Sequence, residues 1–168
     1  SFDEPATADE FTAQVEETDV EDAIKFEEMV SGDESMYCVF EKIERAASAN
    51  IPVFIHGETG TGKELAAKAC HTASANALKP FIAVNCANFS EELMESQLFG
   101  HKRGAFTGAN GDHAGLLETV GEGTIFLDEV TTLSLSLQAK LLRVIQEREF
   151  TPVGSHKSKK FSARIVSA

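Results

Sequence analysis

Met36, Val39, Phe40, Ile43 and Ala47 recur at the three- and four-residue spacing that puts side chains on one face of an α-helix. The pattern predicts a helix from about Glu34 to Ala49, and Ser31 with Glu34 resembles a capping box at its start. A regular alternation follows. Ile51–His56 reads as a short apolar strand, Lys63–Ala73 as a helix, Pro80–Asn85 as a second strand and Glu91–Leu98 as another helix. After a glycine-rich stretch from Gly100 to Gly115, Thr124–Asp128 reads as a third strand and Leu135–Glu149 as a strongly patterned helix. Ala163–Ala168 reads as a fourth strand, so the sequence is expected to be a fragment of a longer protein. Strands alternating with helices predict an α/β fold, a parallel sheet flanked by helices on both faces.

Ahead of this core the pattern weakens. Phe11, Val15, Ile24, Phe26 and Val30 are the apolar positions of residues 1–30, which read as an acidic leader or linker, in part helical. Charge sharpens that division. The chain carries a net charge of −12, and residues 1–34 hold 13 acids against Lys25 alone, a net of 1 − 13 = −12. The remainder, with 14 acids and 14 bases, is neutral. The leader's acidity argues against nucleic-acid binding by the leader, because carboxylates repel phosphates. With 168 residues, 42% hydrophobic and 25% charged, the core fits one domain of ordinary composition. No apolar run approaches the roughly 18–20 residues that span a membrane, and the acidic start is not a signal peptide. Cys38, Cys70 and Cys86 form no Cys-x-x-Cys pair, which disfavours a zinc ribbon or disulfide framework and fits reduced, buried thiols in a cytoplasmic protein.

The chemistry concentrates at three places. Gly57-Glu58-Thr59-Gly60-Thr61-Gly62-Lys63 matches the phosphate-binding loop pattern G-x-x-x-x-G-K and lies between a strand and a helix, the context that pattern requires. Glycines let the backbone turn its N–H groups into one concavity, the helix adds its positive end, and Lys63 supplies a mobile cation for the β- and γ-phosphates. Glu64 stands where Ser or Thr ordinarily meets magnesium. Thr124–Asp128 then ends in two carboxylates, Asp128 and Glu129, at the strand tip where open parallel sheets bind ligands. Asp128 is placed to hold magnesium and Glu129 to polarise a water for attack on the γ-phosphate. Third, Gly104-Ala105-Phe106-Thr107-Gly108-Ala109 is a loop with one aromatic and one hydroxyl between glycines. Its Phe106 fits either a partner surface or a ring tucked into the core by a tight turn.

With these motifs the chain resembles the central AAA+ ATPase domain of the bacterial sigma-54-dependent transcription activators. The resemblance rests on GETGTGKE (57–64), VNCA (84–87), LFGHKRGAFTGA (98–109), GTIFLDE (123–129) and QAKLLRVIQE (138–147), and covers about residues 30–168. Glu at the position of Glu64 is a mark of that family. The resemblance implies that residues Gly57 to Glu64 bind ATP, that Asp128 holds Mg2+, and that Glu129 activates water. It also implies that Asn85 is the switch asparagine that restrains the glutamate. Gly104 to Ala109, through Phe106 and Thr107, would contact the sigma-54 RNA polymerase holoenzyme and convert hydrolysis into remodelling of the closed promoter complex. The family assembles as a ring, typically a hexamer. Its arginine fingers, helical lid, sensor II and DNA-binding helix-turn-helix would lie beyond Ala168, so the fragment alone is expected to hydrolyse ATP poorly and DNA contact is expected only from a domain outside this chain. Val130-Thr131-Thr132 and His113 depart from the family's usual Ile-Gly-Glu and Arg. The competing reading is a non-catalytic nucleotide-binding regulatory module of the same fold.

Overall fold

The computed structural model describes residues 24–31 and 33–168. Its centre is a four-stranded, wholly parallel sheet of β3 (Val53–Phe54), β4 (Phe81–Asn85), β5 (Thr124–Asp128) and β8 (Arg164–Ser167), in the spatial order β3-β8-β5-β4. The helices are α1 (Glu34–Ala49), α2 (Lys63–Thr72), α3 (Glu91–Phe99), the short α4 (Leu116–Thr119) and α5 (Leu135–Glu147). Two small hairpins complete the described residues: β1 (Ile24–Phe26) with β2 (Met29–Ser31), and β6 (Glu149–Phe150) with β7 (Lys159–Lys160).

The period of two along the central strands divides the core. Ile125, Leu127 and Ile165 point to one face and pack with Met94 and Leu98 of α3 and Leu137, Leu141 and Val144 of α5. Phe126 and Val166 point to the other face and meet Ala67 of α2. Helix α1 forms an outer layer, with Phe40 and Ile43 against Ala69 and Cys70 of α2. Helices therefore cover both faces, as the alternation predicts.

Several expectations are corrected. The N-cap of α1 is Asp33, whose carboxylate accepts from the Ser35 N–H at 2.8 Å; Ser31 instead accepts from the Asp33 N–H at 3.1 Å. The predicted strand Ile51–His56 narrows to Val53–Phe54, since Pro52 has no N–H to offer a ladder. The end of the leader forms an antiparallel hairpin over residues 24–31; the reading of the leader as partly helical rests on positions 1–23, which lie outside the described residues. Helix α5 stops at Glu147 because Arg148 turns left-handed (φ 56°), and β6 begins at once. Of the cysteines, Cys70 and Cys86 are buried but Cys38 is exposed on α1.

One buried cation ties the layers together. Arg164, at the start of β8, is 3% exposed and donates to the carbonyls of Ala46 (2.5 Å), Ile51 (3.0 Å) and Cys70 (3.2 Å). Ala46 and Cys70 lie in the last turns of α1 and α2, whose carbonyls have no further helical N–H to accept from. Nearby, His71 is buried with Nδ1 at 3.0 Å from the Thr124 hydroxyl. Burial holds the His71 imidazole below its ordinary value, opposed by the backbone of Lys79 and Ala77.

Candidate functional site

Gly57–Lys63 leaves the tip of β3 and turns sharply into α2. Gly60 and Gly62 take left-handed φ values of 84° and 82°, which only glycine adopts without strain. A Cβ on Gly57 would stand 2.8 Å from the Thr61 hydroxyl, so the loop closes on itself without room for a side chain there. Thr61 donates its hydroxyl to the Glu58 carbonyl at 2.8 Å, and the Lys63 ammonium bridges the carbonyls of Gly57 (3.1 Å) and Glu58 (3.0 Å). Gly62 caps α2 with no side chain, which leaves the first N–H groups of the helix pointing into the loop.

The parallel register brings the other functional groups to the same edge. Asn85 of β4 lies opposite Asp128 of β5, both at the carboxyl ends of their strands. Asp128 accepts from the Glu129 N–H at 3.0 Å. Glu129 itself is left-handed, with φ 53°, a conformation that costs a non-glycine residue about 1 kcal/mol or more and clusters at functional sites. Thr59, Gly60, Gly62, Lys63, Asp128 and Glu129 all line one open cleft of about 590 Å³. Glu64 reaches both this cleft and an adjoining one shared with Asn85 and Asp128. The side-chain oxygen of Asn85 accepts from the Ala87 N–H at 2.8 Å and caps the turn that follows β4. Below the two carboxylates, burial and the charges of Asp128 and Glu129 push the Cys86 thiol up to about 11, so it stays protonated and inert.

Among the described residues, no three His, Cys, Asp or Glu side chains converge as a metal site. The hard carboxylate oxygens of Asp128 suit magnesium, which ordinarily keeps waters and phosphate oxygens as its remaining ligands.

The glycine-rich stretch forms a closed loop between α3 and α4. Its ends cross in contact: a Cβ on Gly100 would lie 2.5 Å from the His113 carbonyl and 2.6 Å from the Gly115 nitrogen. His101 and His113 exchange backbone hydrogen bonds at 3.0 and 2.9 Å. Lys102 pairs with Asp112 at 2.5 Å, and hydrogen bonds from Lys102 and from the Arg103 N–H hold the Asp112 carboxyl below the usual range. At the tip, Gly104 and Ala109 are joined by a hydrogen bond of 2.9 Å, Thr107 is exposed, and the Phe106 ring meets His101 edge-on at 4.9 Å. Phe106 is thus neither free nor buried; at 38% exposure it rests on the loop's own stem.

Three participants escaped sequence reading. Glu28, in the β1–β2 turn, lines the same cleft as Lys63, Asp128 and Glu129 and pairs with Lys68 at 2.5 Å. The His101–Phe106 contact and the turn at Gly154, which packs on Ala105, join residues without any periodic signal.

The family model for the Sigma-54 interaction domain matches residues 29–168. The chain is 53% identical over 130 residues to the Nif-specific regulatory protein of Rhodobacter capsulatus, covering 77% of this chain and 22% of that protein. It is 48% identical over 143 residues to the luminescence regulatory protein LuxO of Vibrio campbellii, covering 85% and 32%. To the hydrogenase transcriptional regulatory protein HoxA of Cupriavidus necator it is 49% identical over 147 residues, covering 87% and 30%. The chain therefore spans a third or less of these relatives' lengths. Among solved structures, NtrX of Brucella abortus, determined with ADP and with ATP, superposes with a TM-score of 0.74 at 37% identity, covering 83% of this chain and 30% of that one. A parallel sheet carrying a phosphate loop, set beside a match over nearly the whole described chain, places this protein in the sigma-54 interaction domain family, the AAA+ P-loop domain of sigma-54-dependent activators.

Proposed function

We propose that the cleft binds ATP with Mg2+ and that, in the intact protein, ATP hydrolysis there drives remodelling of the closed promoter complex of sigma-54 RNA polymerase. The convergence of Lys63, Asp128 and Glu129 on one cleft carries this reading. The N–H groups at the start of α2 and the Lys63 ammonium would hold the phosphates, and Asp128 would hold the metal with phosphate oxygens and water. The metal supplies charge neutralisation on the phosphates. Glu129 would orient and deprotonate the attacking water. Asn85, opposite Asp128, would restrain Glu129 once its side chain leaves the Ala87 N–H. Phe106 and Thr107 on the 104–109 loop would contact sigma-54, and ring assembly in the cytoplasm, as a hexamer, would complete the machine. The relatives' names as transcriptional regulators support the setting.

Glu129→Gln in the intact protein tests the proposal. ATP turnover should fall about 10²- to 10⁴-fold with nucleotide binding retained, and activated transcription should fall with it. Full activation with turnover abolished would make the domain a regulatory module instead.

A further inference from the structure

The most basic part of the described chain has no role in the nucleotide cleft. Residues 148–164 hold Arg148, Lys157, Lys159, Lys160 and Arg164 against Glu149 as the one acid. Arg164 is buried, Arg148 donates to the Ala163 carbonyl, and Lys159 pairs with Glu118 at 2.6 Å. Lys157 and Lys160 are exposed and, among the described residues, make no ion pair. The turn that carries them is ordered: the Ser155 hydroxyl accepts from the Lys157 N–H at 3.1 Å, and the β6–β7 pairing sets Lys160 opposite Glu149.

This turn is fixed to the base of the 104–109 loop. The Lys102 N–H donates to the Val153 carbonyl at 2.9 Å, and the Val153 N–H donates to Gly100 at 2.9 Å. Gly154 sits so close to Ala105 that a Cβ on it would come within 2.8 Å of the Ala105 methyl. Arg103, next to Lys102, is exposed and outside any ion pair among the described residues. Three cations outside the ion pairs of the described residues thus lie on the loop and on the segment joined to its base through Val153 and Gly154.

We infer that Arg103, Lys157 and Lys160 form a contact for the phosphate backbone of duplex DNA, beside the loop assigned above to sigma-54. The chemistry favours DNA over an acidic protein. A protein interface centres on buried apolar and aromatic anchors and is depleted in lysine; this turn consists of Gly, Ser, His and Lys. Lysines on a polar, hydrogen-bonded turn are what sequence-independent phosphate recognition uses. The contact differs from the family expectation that DNA is reached only through a separate domain. It rests on the proposed function in one respect: a loop engaging promoter-bound polymerase carries its neighbours to the promoter.

Two measurements test it. Fluorescence anisotropy of a labelled duplex with this chain reads the number of phosphates neutralised. Three contacts give a log–log salt slope of about −2.7, so affinity should rise about 40-fold from about 200 to about 50 mM salt. Arg103→Gln/Lys157→Gln/Lys160→Gln should abolish most of that rise while ATP binding is unchanged. Equal affinity and slope in the parent and the triple variant would overturn the inference. The second measurement places a photo-crosslinking residue at position 157 of the intact protein, assembled with sigma-54 RNA polymerase on promoter DNA. Crosslinks to DNA support the contact; crosslinks only to sigma-54, or only to the acidic residues 1–34, overturn it. The same probe at position 106 checks the loop's assignment separately, so loss of its sigma-54 crosslink would sink the function reading without deciding the DNA contact.

Discussion

Replacing Arg164 by methionine should destabilise the chain by about 3 kcal/mol. Methionine keeps the length and apolar stem but removes all three hydrogen bonds to Ala46, Ile51 and Cys70. The Cys70 carbonyl is enclosed, and a buried polar group left without a partner costs about 2 kcal/mol. The Ala46 and Ile51 carbonyls are partly enclosed and contribute about 1 kcal/mol each. Against this total, removing a buried cation returns about 1 kcal/mol of desolvation. The guanidinium also faces the negative ends of α1 and α2, and α1 has no basic residue of its own in its last turn. Urea denaturation followed by circular dichroism measures the change, and the corresponding fall in Tm is roughly 6–12 °C for a chain of this size. Arg164→Lys should recover about half, because a single ammonium reaches fewer of the three carbonyls. A methionine variant within about 0.5 kcal/mol of the parent would refute the reasoning, since water would then satisfy those carbonyls.

Lys63→Ala should weaken ATP binding roughly 30- to 160-fold, the worth of one charge-assisted contact of about 2–3 kcal/mol; fluorescent-nucleotide titration checks this, and unchanged affinity would remove Lys63 from the phosphate site. Gly115→Ala should cost about 2–4 kcal/mol or expel the loop, because its Cβ would collide with the backbone of Leu98, Phe99 and Gly100; the urea midpoint and the rate of tryptic cleavage at Arg103 report which. Burial holds the folded His71 below its ordinary value of 6.5, so the unfolded chain binds the extra proton in that window. The stability that His71 contributes is therefore complete above pH 6.5 and declines as pH falls from there toward the folded value. His71→Gln should flatten the dependence of the urea midpoint on pH in that range, and an unaltered pH profile would assign it to other groups.

The central strands and main helices were legible because their cores repeat: Ile125, Phe126 and Leu127 alternate between two covered faces, and the α1 and α5 stripes recur at helical spacing. The phosphate loop was legible for a different reason, since its glycines and lysine serve local backbone geometry that a short motif records. What escaped reading depends on distant partners. The β6–β7 hairpin has two-residue strands, too short for a period, and it is held through Val153 to a loop fifty residues earlier. Arg164 sits in an apolar strand, and only the meeting of two helix ends explains its charge. The local signal at Ser31 and Glu34 pointed to a capping box, but Asp33 won because a carboxylate two residues nearer the helix accepts the same class of N–H.

The crossing at Gly100 and Gly115 makes the segment between them an exchangeable cassette. Chain enters and leaves through one point, so, beyond the contacts of Lys102 and Ala105 with the β6–β7 turn, its length and composition can change without moving the ends of α3 and α4 or the carboxylates beyond them. Doubling such a loop costs only about 0.6 kcal/mol in closure entropy. A lineage can therefore retune what the tip touches while the cleft at the strand ends stays as it is, and the two glycines, whose close approach leaves no room for side chains, are the condition for that independence.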